Sequence, residues 1–202
     1  MVAMREASKI LVIVSMLFLF GCKDNDAITD ESEIRERYFD LEEVGWKSHE
    51  HRQELDNINY NAAEVPVAYY ILNKLGNKDL LAVDSIEKAN KRERIIEFNF
   101  SEDGKKDLLE EVFTGMGHEE AVKYMSFSID KDFYVVTSKK DTITCSGAVF
   151  ESSFKVTPAC KLLLFFGDID PNEKIQLVYN DRLFGKGTLK FKLEEPIIRA
   201  EL

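Results

Sequence analysis

The chain has few of the side chains on which catalytic and metal sites are usually built. Its 202 residues include three cysteines, three histidines and one tryptophan. It contains no Gly-x-Ser-x-Gly nucleophile motif. Its histidines and cysteines do not have the spacing of a zinc site. The sequence therefore predicts a protein that is not an enzyme and that holds no metal or other cofactor.

Positive charge is also scarce. The chain carries 27 Lys and Arg against 37 Asp and Glu, which gives a net charge of −10. Because phosphates and anionic headgroups repel such a surface, a nucleic-acid partner is not expected. The one basic cluster, Lys88–Arg94, is interrupted by Glu93. We interpret it as a solvated turn, with contact to an acidic partner or a phosphate-rich glycolipid as the alternative.

The chain lacks a long membrane-spanning apolar run near its start. Ile10–Phe20 is apolar apart from Ser15. As a helix it would span roughly 17 Å at about 1.5 Å per residue, short of the roughly 30 Å hydrocarbon core. Arg5 and Lys9 precede the run, as in the positive first region of a secretory signal peptide. The sequence therefore predicts export rather than a mature transmembrane helix.

The apolar run ends in Leu19-Phe20-Gly21-Cys22, which resembles the lipobox of bacterial lipoproteins. The resemblance implies that signal peptidase II removes residues 1–21 as a lipoprotein signal peptide, and that Cys22 carries acyl chains such as palmitate. Two or more chains anchor a protein stably in a membrane. Lys23 favours the outer membrane of a bacterial cell envelope, with the periplasmic and surface faces both open. The polar, acidic residues 22–33 are interpreted as a tether.

Residues 34–78 are predicted to be a mainly helical N-terminal segment. Apolar residues recur at helical spacing from Ile34 to Val44, whereas the polar residues 47–61 are interpreted as irregular. Glu64–Leu75 has two alternatives. It is either a helix with Pro66 in its first turn or an edge strand, where proline is tolerated.

Residues 79–202 are predicted to form an antiparallel β-sandwich, with an immunoglobulin-like arrangement as the architecture. Alternating apolar and polar residues recur at intervals of about ten residues, with turn signals between them. The expected strands are 80–86, 94–100, 125–129, 133–138, 141–150, 153–157, 161–166, 175–179 and 189–193.

One helix is predicted to interrupt these strands. Ser101 can cap its first turn, Leu108, Leu109, Val112 and Phe113 form an apolar stripe, and Gly115 suits its end. Residues 118–122 are expected to add one more helical turn.

Cys145 and Cys160 are the cysteines that lipid would not use. An oxidising envelope permits a disulfide between them. Each cysteine also falls on the apolar, inward-facing side of its predicted strand. Two separate buried thiols are therefore the alternative to a disulfide.

Other patterns that imitate binding sites have simpler interpretations. His49-Glu50-His51 lies in a polar stretch without the further ligands that zinc needs. Asp168-Ile-Asp170-Pro-Asn172 lacks the glycine and glutamate of a calcium loop and is typical of a turn. Gly185-Lys-Gly-Thr188 precedes a predicted strand rather than a helix, so a hairpin is expected there instead of a phosphate site.

Three hypotheses of function follow from these patterns. The first is a membrane-anchored, non-catalytic envelope lipoprotein whose β-domain binds or scaffolds another envelope protein. The second is a module for a small ligand or glycan, with Trp46, Tyr60, Tyr69 and Tyr70 as an aromatic platform. The third is a hydrolase whose site the sequence does not reveal.

Overall fold

The computed structural model describes residues 50–67, 70–71, 80–104, 106–151 and 159–193. Two antiparallel sheets of five and four strands dominate these residues. The strands are β1 His51–Leu55, β2 Ile58–Val65, β3 Arg94–Glu102, β4 Phe133–Thr137, β5 Thr142–Thr144, β6 Gly147–Glu151, β7 Cys160–Phe166, β8 Ile175–Asp181 and β9 Gly187–Leu193. The helices are α1 Leu80–Ala89, α2 Glu111–Thr114 and α3 His118–Phe127, followed by the 3₁₀ turn Ile129–Asp132.

The strand order is immunoglobulin-like. It is β1-β2-β3-β7-β6 in the five-stranded sheet and β5-β4-β8-β9 in the four-stranded sheet. If β2 is taken as strand A, these become A-B-E-D and C′-C-F-G, the arrangement of immunoglobulin-type sandwiches. Strand β1 is then an additional edge strand beside A. The predicted antiparallel β-sandwich is confirmed.

Aromatic rings join the two sheets in the core. Tyr60, Phe98 and Phe100 point inward from the five-stranded sheet and are fully buried. The ring of Phe98 lies 5.0 Å from that of Phe133 and 5.2 Å from that of Phe191, edge to face in both cases. Strand β9 alternates between buried Leu189, Phe191 and Leu193 and exposed lysines. The period-two patterns predicted for β3 and β9 are thus confirmed.

A buried ion pair lies among these inward-facing side chains. Arg94 donates from Nε and Nη2 to the carboxylate of Glu64, and both side chains are at least nine-tenths buried. Arg94 Nη1 also donates to the carbonyl oxygens of Asp170, at 3.0 Å, and Glu173, at 3.1 Å. The solvated-turn interpretation of Lys88–Arg94 is therefore wrong for Arg94, which ties β3 to the turn before β8.

Two predicted strands are helical. Residues 80–86 belong to α1, whose end is closed by the Asn90 side-chain amide donating to the Ile86 carbonyl at 2.7 Å. Residues 125–129 belong to α3 and the 3₁₀ turn. The alternation of Met125, Phe127 and Ile129 suggested a strand, but Phe127 is 75% exposed. The buried residues are Ala121, Met125 and Ile129, which are spaced four apart as on a helix.

The predicted inserted helix is shorter than expected. Strand β3 continues to Glu102, and of the described residues between it and Gly115 only Glu111–Thr114 are helical. Gly115 adopts the left-handed conformation with φ 69°, which confirms the predicted stop. Leu108 and Leu109 are buried ahead of the helix, but Val112 is 79% exposed. The apolar stripe is therefore wrong at Val112. The helical turn predicted at 118–122 is confirmed and extends to Phe127.

Residues 51–65 form two strands, so a mainly helical or irregular assignment is wrong there. Asp56 and Asn57, with φ of 50° and 63°, form the two-residue turn between β1 and β2. Each of the two alternatives for Glu64–Leu75 holds on one side of Pro66. Strand β2 ends at Val65, and the Tyr70 N–H donates to the Pro66 carbonyl in a helical turn. Residues 68–69 and 72–75 of that segment, and residues 1–49 before it, lie outside the described residues.

The second half of the sandwich follows the predicted pattern more closely. Residues 141–150 divide into β5 and β6, which lie in different sheets. Lys140, with φ 70°, lies in the predicted turn after β4. Strand β7 lies between β3 and β6 and, from Leu162 onward, is apolar on both faces. The strand expected at 153–157 lies outside the described residues.

The two cysteines are free thiols, and Cys160 is buried while Cys145 is half-buried. Cys160 opens β7, whereas Gly147, two residues after Cys145, pairs with Phe165 near the other end of that strand. At about 3.3 Å per residue the two cysteines are too far apart for a disulfide, which needs Cα atoms within about 7 Å.

Candidate functional site

The outer face of the five-stranded sheet divides into two halves along the strands. The covered half consists of buried or half-buried apolar residues: Ala63 and Val65 of β2, Ile95 of β3, and Leu163 and Phe165 of β7. The open half consists of polar residues: Arg52 of β1, Asn59 and Asn61 of β2, Asn99 and Ser101 of β3, Lys161 of β7 and Glu151 of β6.

The covered half is packed under the chain that follows β2. Val65, Ile95 and Leu163 form a small apolar cluster. Tyr70, in the helical turn after Pro66, lies edge to face on Phe165 with ring centroids 5.2 Å apart. This half of the face is therefore part of a second core.

The open half forms a cleft of about 660 Å³. The residues that line the cleft lie on all five strands, just after the end of β3 and just before the start of β7. They are Arg52, Asn59, Tyr60, Asn61, Asn99, Ser101, Asp103, Glu151, Ala159 and Lys161. The volume falls within the range of about 300–1,000 Å³ that is typical of ligand pockets, but the lining is more polar than in most of them.

One row of side chains crosses the floor of this cleft. The register of the sheet places Arg52 opposite Asn61, Asn61 opposite Asn99, Asn99 opposite Lys161, and Lys161 opposite Glu151. We call these five residues the polar row. At about 4.8 Å between strands, the row is roughly 19 Å long. The row exists because each of the five strands has an outward-facing residue at the same level of the sheet.

Lys161 is held between two carboxylates. Its Nζ lies 3.1 Å from Glu97 Oε2 and 3.1 Å from Glu151 Oε2. Asn99 donates to the other oxygen of Glu97 at 3.2 Å. Burial alone lowers the pKa of Lys161, but hydrogen bonds to Glu151 and Glu97, and their charges, raise it by more. The ammonium therefore stays charged and engaged at neutral pH.

The remaining polar groups are less fully engaged. Asn59 donates to Asp103 at 2.9 Å, and Arg52 pairs with Glu50 at 2.7 Å. Asn61 Oδ1 is buried and, within the part of the chain that the structure describes, accepts no hydrogen bond. An unsatisfied buried acceptor costs about 1–3 kcal/mol, so a rotation of this amide that brought its oxygen to a donor would be stabilising.

The predicted aromatic platform is wrong for the two rings that the structure describes. Tyr60 borders the cleft but presents no ring to it. Its ring is fully buried in the core and its hydroxyl donates to Asp181 at 3.0 Å. Tyr70 covers Phe165 in the covered half. Trp46 and Tyr69 lie outside the described residues, as does Cys22.

The histidines are not in the cleft lining that the structure describes. His118 Nε2 lies 3.1 Å from Asp107 Oδ2 on the surface, and His51 is in β1. His49 lies outside the described residues. Among those described, no three His, Cys, Asp or Glu side chains are grouped to hold a metal ion, and no helix is long and apolar enough to cross a membrane.

Two other sequence patterns are turns, as predicted. The Asn172 N–H donates to Asp170 Oδ1 at 2.9 Å and the Glu173 N–H to the Asp170 carbonyl at 3.0 Å. Gly185 and Gly187, with φ of 69° and 87°, supply the left-handed positions of the β8–β9 hairpin.

A second polar cluster, which the sequence did not indicate, lies inside the sandwich. Asp181 accepts from the Tyr60 and Tyr179 hydroxyls and from the Phe184 N–H, at 3.0, 2.9 and 2.8 Å. Burial raises the pKa of the nearby Asp132, although its bond from Tyr124 opposes this. The Asp181 bonds join both sheets to the β8–β9 hairpin, so this cluster has a structural role.

The polar row was missed because residues 47–61 were interpreted as irregular. A signal was present. Ile58, Tyr60 and Ala62 alternate with Asn59 and Asn61, a half-buried strand with one wet face. No protein-family model, curated protein sequence or solved structure matches this chain.

Proposed function

We propose that this chain is a lipid-anchored, non-catalytic binding protein of a bacterial cell envelope, held at the outer membrane through Cys22. Its ligand lies in the cleft over the open half of the outer sheet face. The polar row is the observation that carries this proposal, because it places five polar side chains at one level across five strands.

The contrast with the covered half supports binding over a merely solvated surface. On the same strands, the chain itself buries the neighbouring apolar positions but leaves the polar row under a cleft. Asn61 has a buried acceptor that finds no partner within the described part of the chain. A desolvated polar group of this kind is costly when it is left unsatisfied, and it suits a face that meets a ligand.

Photo-crosslinking in intact cells tests the site. A photoreactive amino acid at Ser101, in the cleft, should give adducts that are absent when it replaces Thr188, an exposed residue of β9 in the other sheet. Equal adducts at both positions, or none at Ser101, would reject the cleft as the binding site.

The anchor has its own test. Cys22→Ala should leave an uncleaved or mislocalised precursor, and a clickable palmitate analogue should label only the parent chain. Labelling of the variant at the parent level would exclude lipid on Cys22.

An envelope-protein partner is a second candidate, favoured by a different observation. Phe127 is 75% exposed and Val112 79% exposed, both in the helical connection between β3 and β4. Aromatic side chains such as Phe127 are enriched at protein interfaces. Phe127→Ser should then reduce the protein crosslinked to the chain in intact cells, whereas Ile86→Ser on α1 should not. Unchanged crosslinking in Phe127→Ser would eliminate this candidate.

A further inference from the structure

We infer that the ligand of the cleft is an uncharged oligosaccharide, laid along the polar row. This inference rests on the proposed binding function and adds the chemical class of the ligand to it. It follows from which polar groups in the cleft are already engaged and which are not.

The charged groups of the cleft already have partners. Lys161 lies between Glu97 and Glu151, Arg52 pairs with Glu50, and Asp103 accepts from Asn59. An anionic ligand that drew Lys161 away would leave the carboxylate of Glu97, which is 7% exposed, without its cation, and breaking a buried pair in this way is strongly unfavourable. The centre of the row therefore offers no strong site to a carboxylate or phosphate group, and an ammonium group there would be repelled by Lys161.

The groups that remain are neutral and can both donate and accept. Asn61 and Asn99 each present an amide, although Asn99 already gives one N–H to Glu97, and Ser101 adds a hydroxyl. Asn61 Oδ1 has no hydrogen-bond partner among the described residues. Sugar hydroxyls likewise both donate and accept, so they match a row of amides without any change of charge. The neighbouring amides stand about 4.8 Å apart on adjacent strands, which suits a ligand with repeated polar groups.

The position of the cleft disfavours an extended peptide. Peptides that bind sheets usually add a strand at an edge, where backbone N–H and C=O groups are unpaired. The cleft lies on a face instead, and β2, β3 and β7 are paired on both sides. A peptide backbone would find only side chains there. The roughly 19 Å length of the polar row favours a chain of several sugar units over a single sugar.

Titration of oligosaccharides into the full chain, purified as the cell makes it in a polyoxyethylene detergent, tests the inference. The probes are neutral tetrasaccharides of glucose, mannose, galactose and N-acetylglucosamine. Matched probes carry one uronic acid, or glucosamine in place of N-acetylglucosamine. We expect at least one neutral probe to bind, and its charged counterparts to bind about tenfold more weakly or worse.

Three single variants locate the binding. Asn61→Ala and Asn99→Ala should each weaken the neutral probe about fivefold to tenfold, the loss expected for one or two hydrogen bonds. Asn180→Ala is the matched control, because Asn180 is also a half-buried, outward asparagine on an inner strand, β8, of the other sheet. The affinity of Asn180→Ala for the neutral probe should stay within about twofold of the parent's.

The outcomes separate the ligand class from the site. Tighter binding of a charged probe that both cleft variants weaken would overturn the uncharged class and keep the proposed cleft. A polypeptide trapped at Ser101, with no oligosaccharide bound, would do the same. Neutral binding that survives both variants would overturn the cleft itself. Absence of both sugar binding and Ser101 adducts would overturn the site and the ligand class together.

Discussion

The covered and open halves of the outer sheet face lie on the same strands, yet one is core and the other lines an open polar cleft. The difference arises within a few residues. Along β2 the outward positions change from Asn61 to Ala63, and along β7 from Lys161 to Leu163. Where the outward residues are apolar, the chain after Pro66 covers them. Where they are polar, the cleft remains.

This contrast shows that an immunoglobulin-like sheet need not have a single outer surface. Burial of Val65, Ile95 and Leu163 contributes stability through removal of apolar area from water. The polar row contributes little in that way, because its side chains are polar and line the cleft. Glu97 and Lys161 mark the border, because their ion pair is partly buried beside the apolar cluster.

The largest difference in stability between the two halves is expected when the same charge is placed in each of them. Ile95→Asp buries an unpaired carboxylate at a position that is 2% exposed, so we expect a loss of about 4 kcal/mol in the free energy of unfolding. Ser101→Asp, on the same strand and face, should change it by at most about 1 kcal/mol. Urea unfolding measures both. Similar losses would mean that the two halves are not distinct.

A smaller effect is expected at the border. Lys161→Met removes the cation beside Glu97, which is 7% exposed, and should cost about 1–3 kcal/mol at pH 7. Lys192→Met, on an exposed position of β9, should cost less than about 0.5 kcal/mol.

The pH dependence sharpens that prediction. The pKa of Lys161 is raised in the folded chain, so its stabilising contribution is fully present below the unfolded value of about 10.4. It is lost as pH rises through the folded pKa. The stability difference between parent and Lys161→Met should therefore shrink above about pH 10. A difference that is constant through this range would mean that the ion pair is not its source.

The smallest effect is expected for the reactivity of Cys160, on the inner face of the sheet behind the open half. Cys160 precedes Lys161 but points into the core, and burial raises the pKa of its thiol to about 12. Native maleimide labelling of Cys160 at pH 8 should be slow, with no change in stability. Denaturation without reductant should expose both Cys145 and Cys160, because neither is in a disulfide. Fast native labelling of Cys160 would contradict the inward register of β7.

Patterns confined to one strand were predictable. The alternation of Phe98 and Phe100 with Glu97 and Asn99, and of Leu189 and Phe191 with lysines, gave the correct faces of β3 and β9. Short ambiguous patterns were not. Residues 80–86 and 125–129 are compatible with either period, and burial of Val83, Met125 and Ile129 at helical positions decides between them only in the folded chain.

By itself, the sequence determined that this is a mainly β domain, because period-two alternation is a local consequence of the pleat. It also carries the lipobox-like segment that motivates the anchor. Only the tertiary structure decided that Arg52, Asn61, Asn99, Lys161 and Glu151 form one row. Their alignment depends on the register between strands that are far apart in the chain, and that register is set by the packing of the whole core.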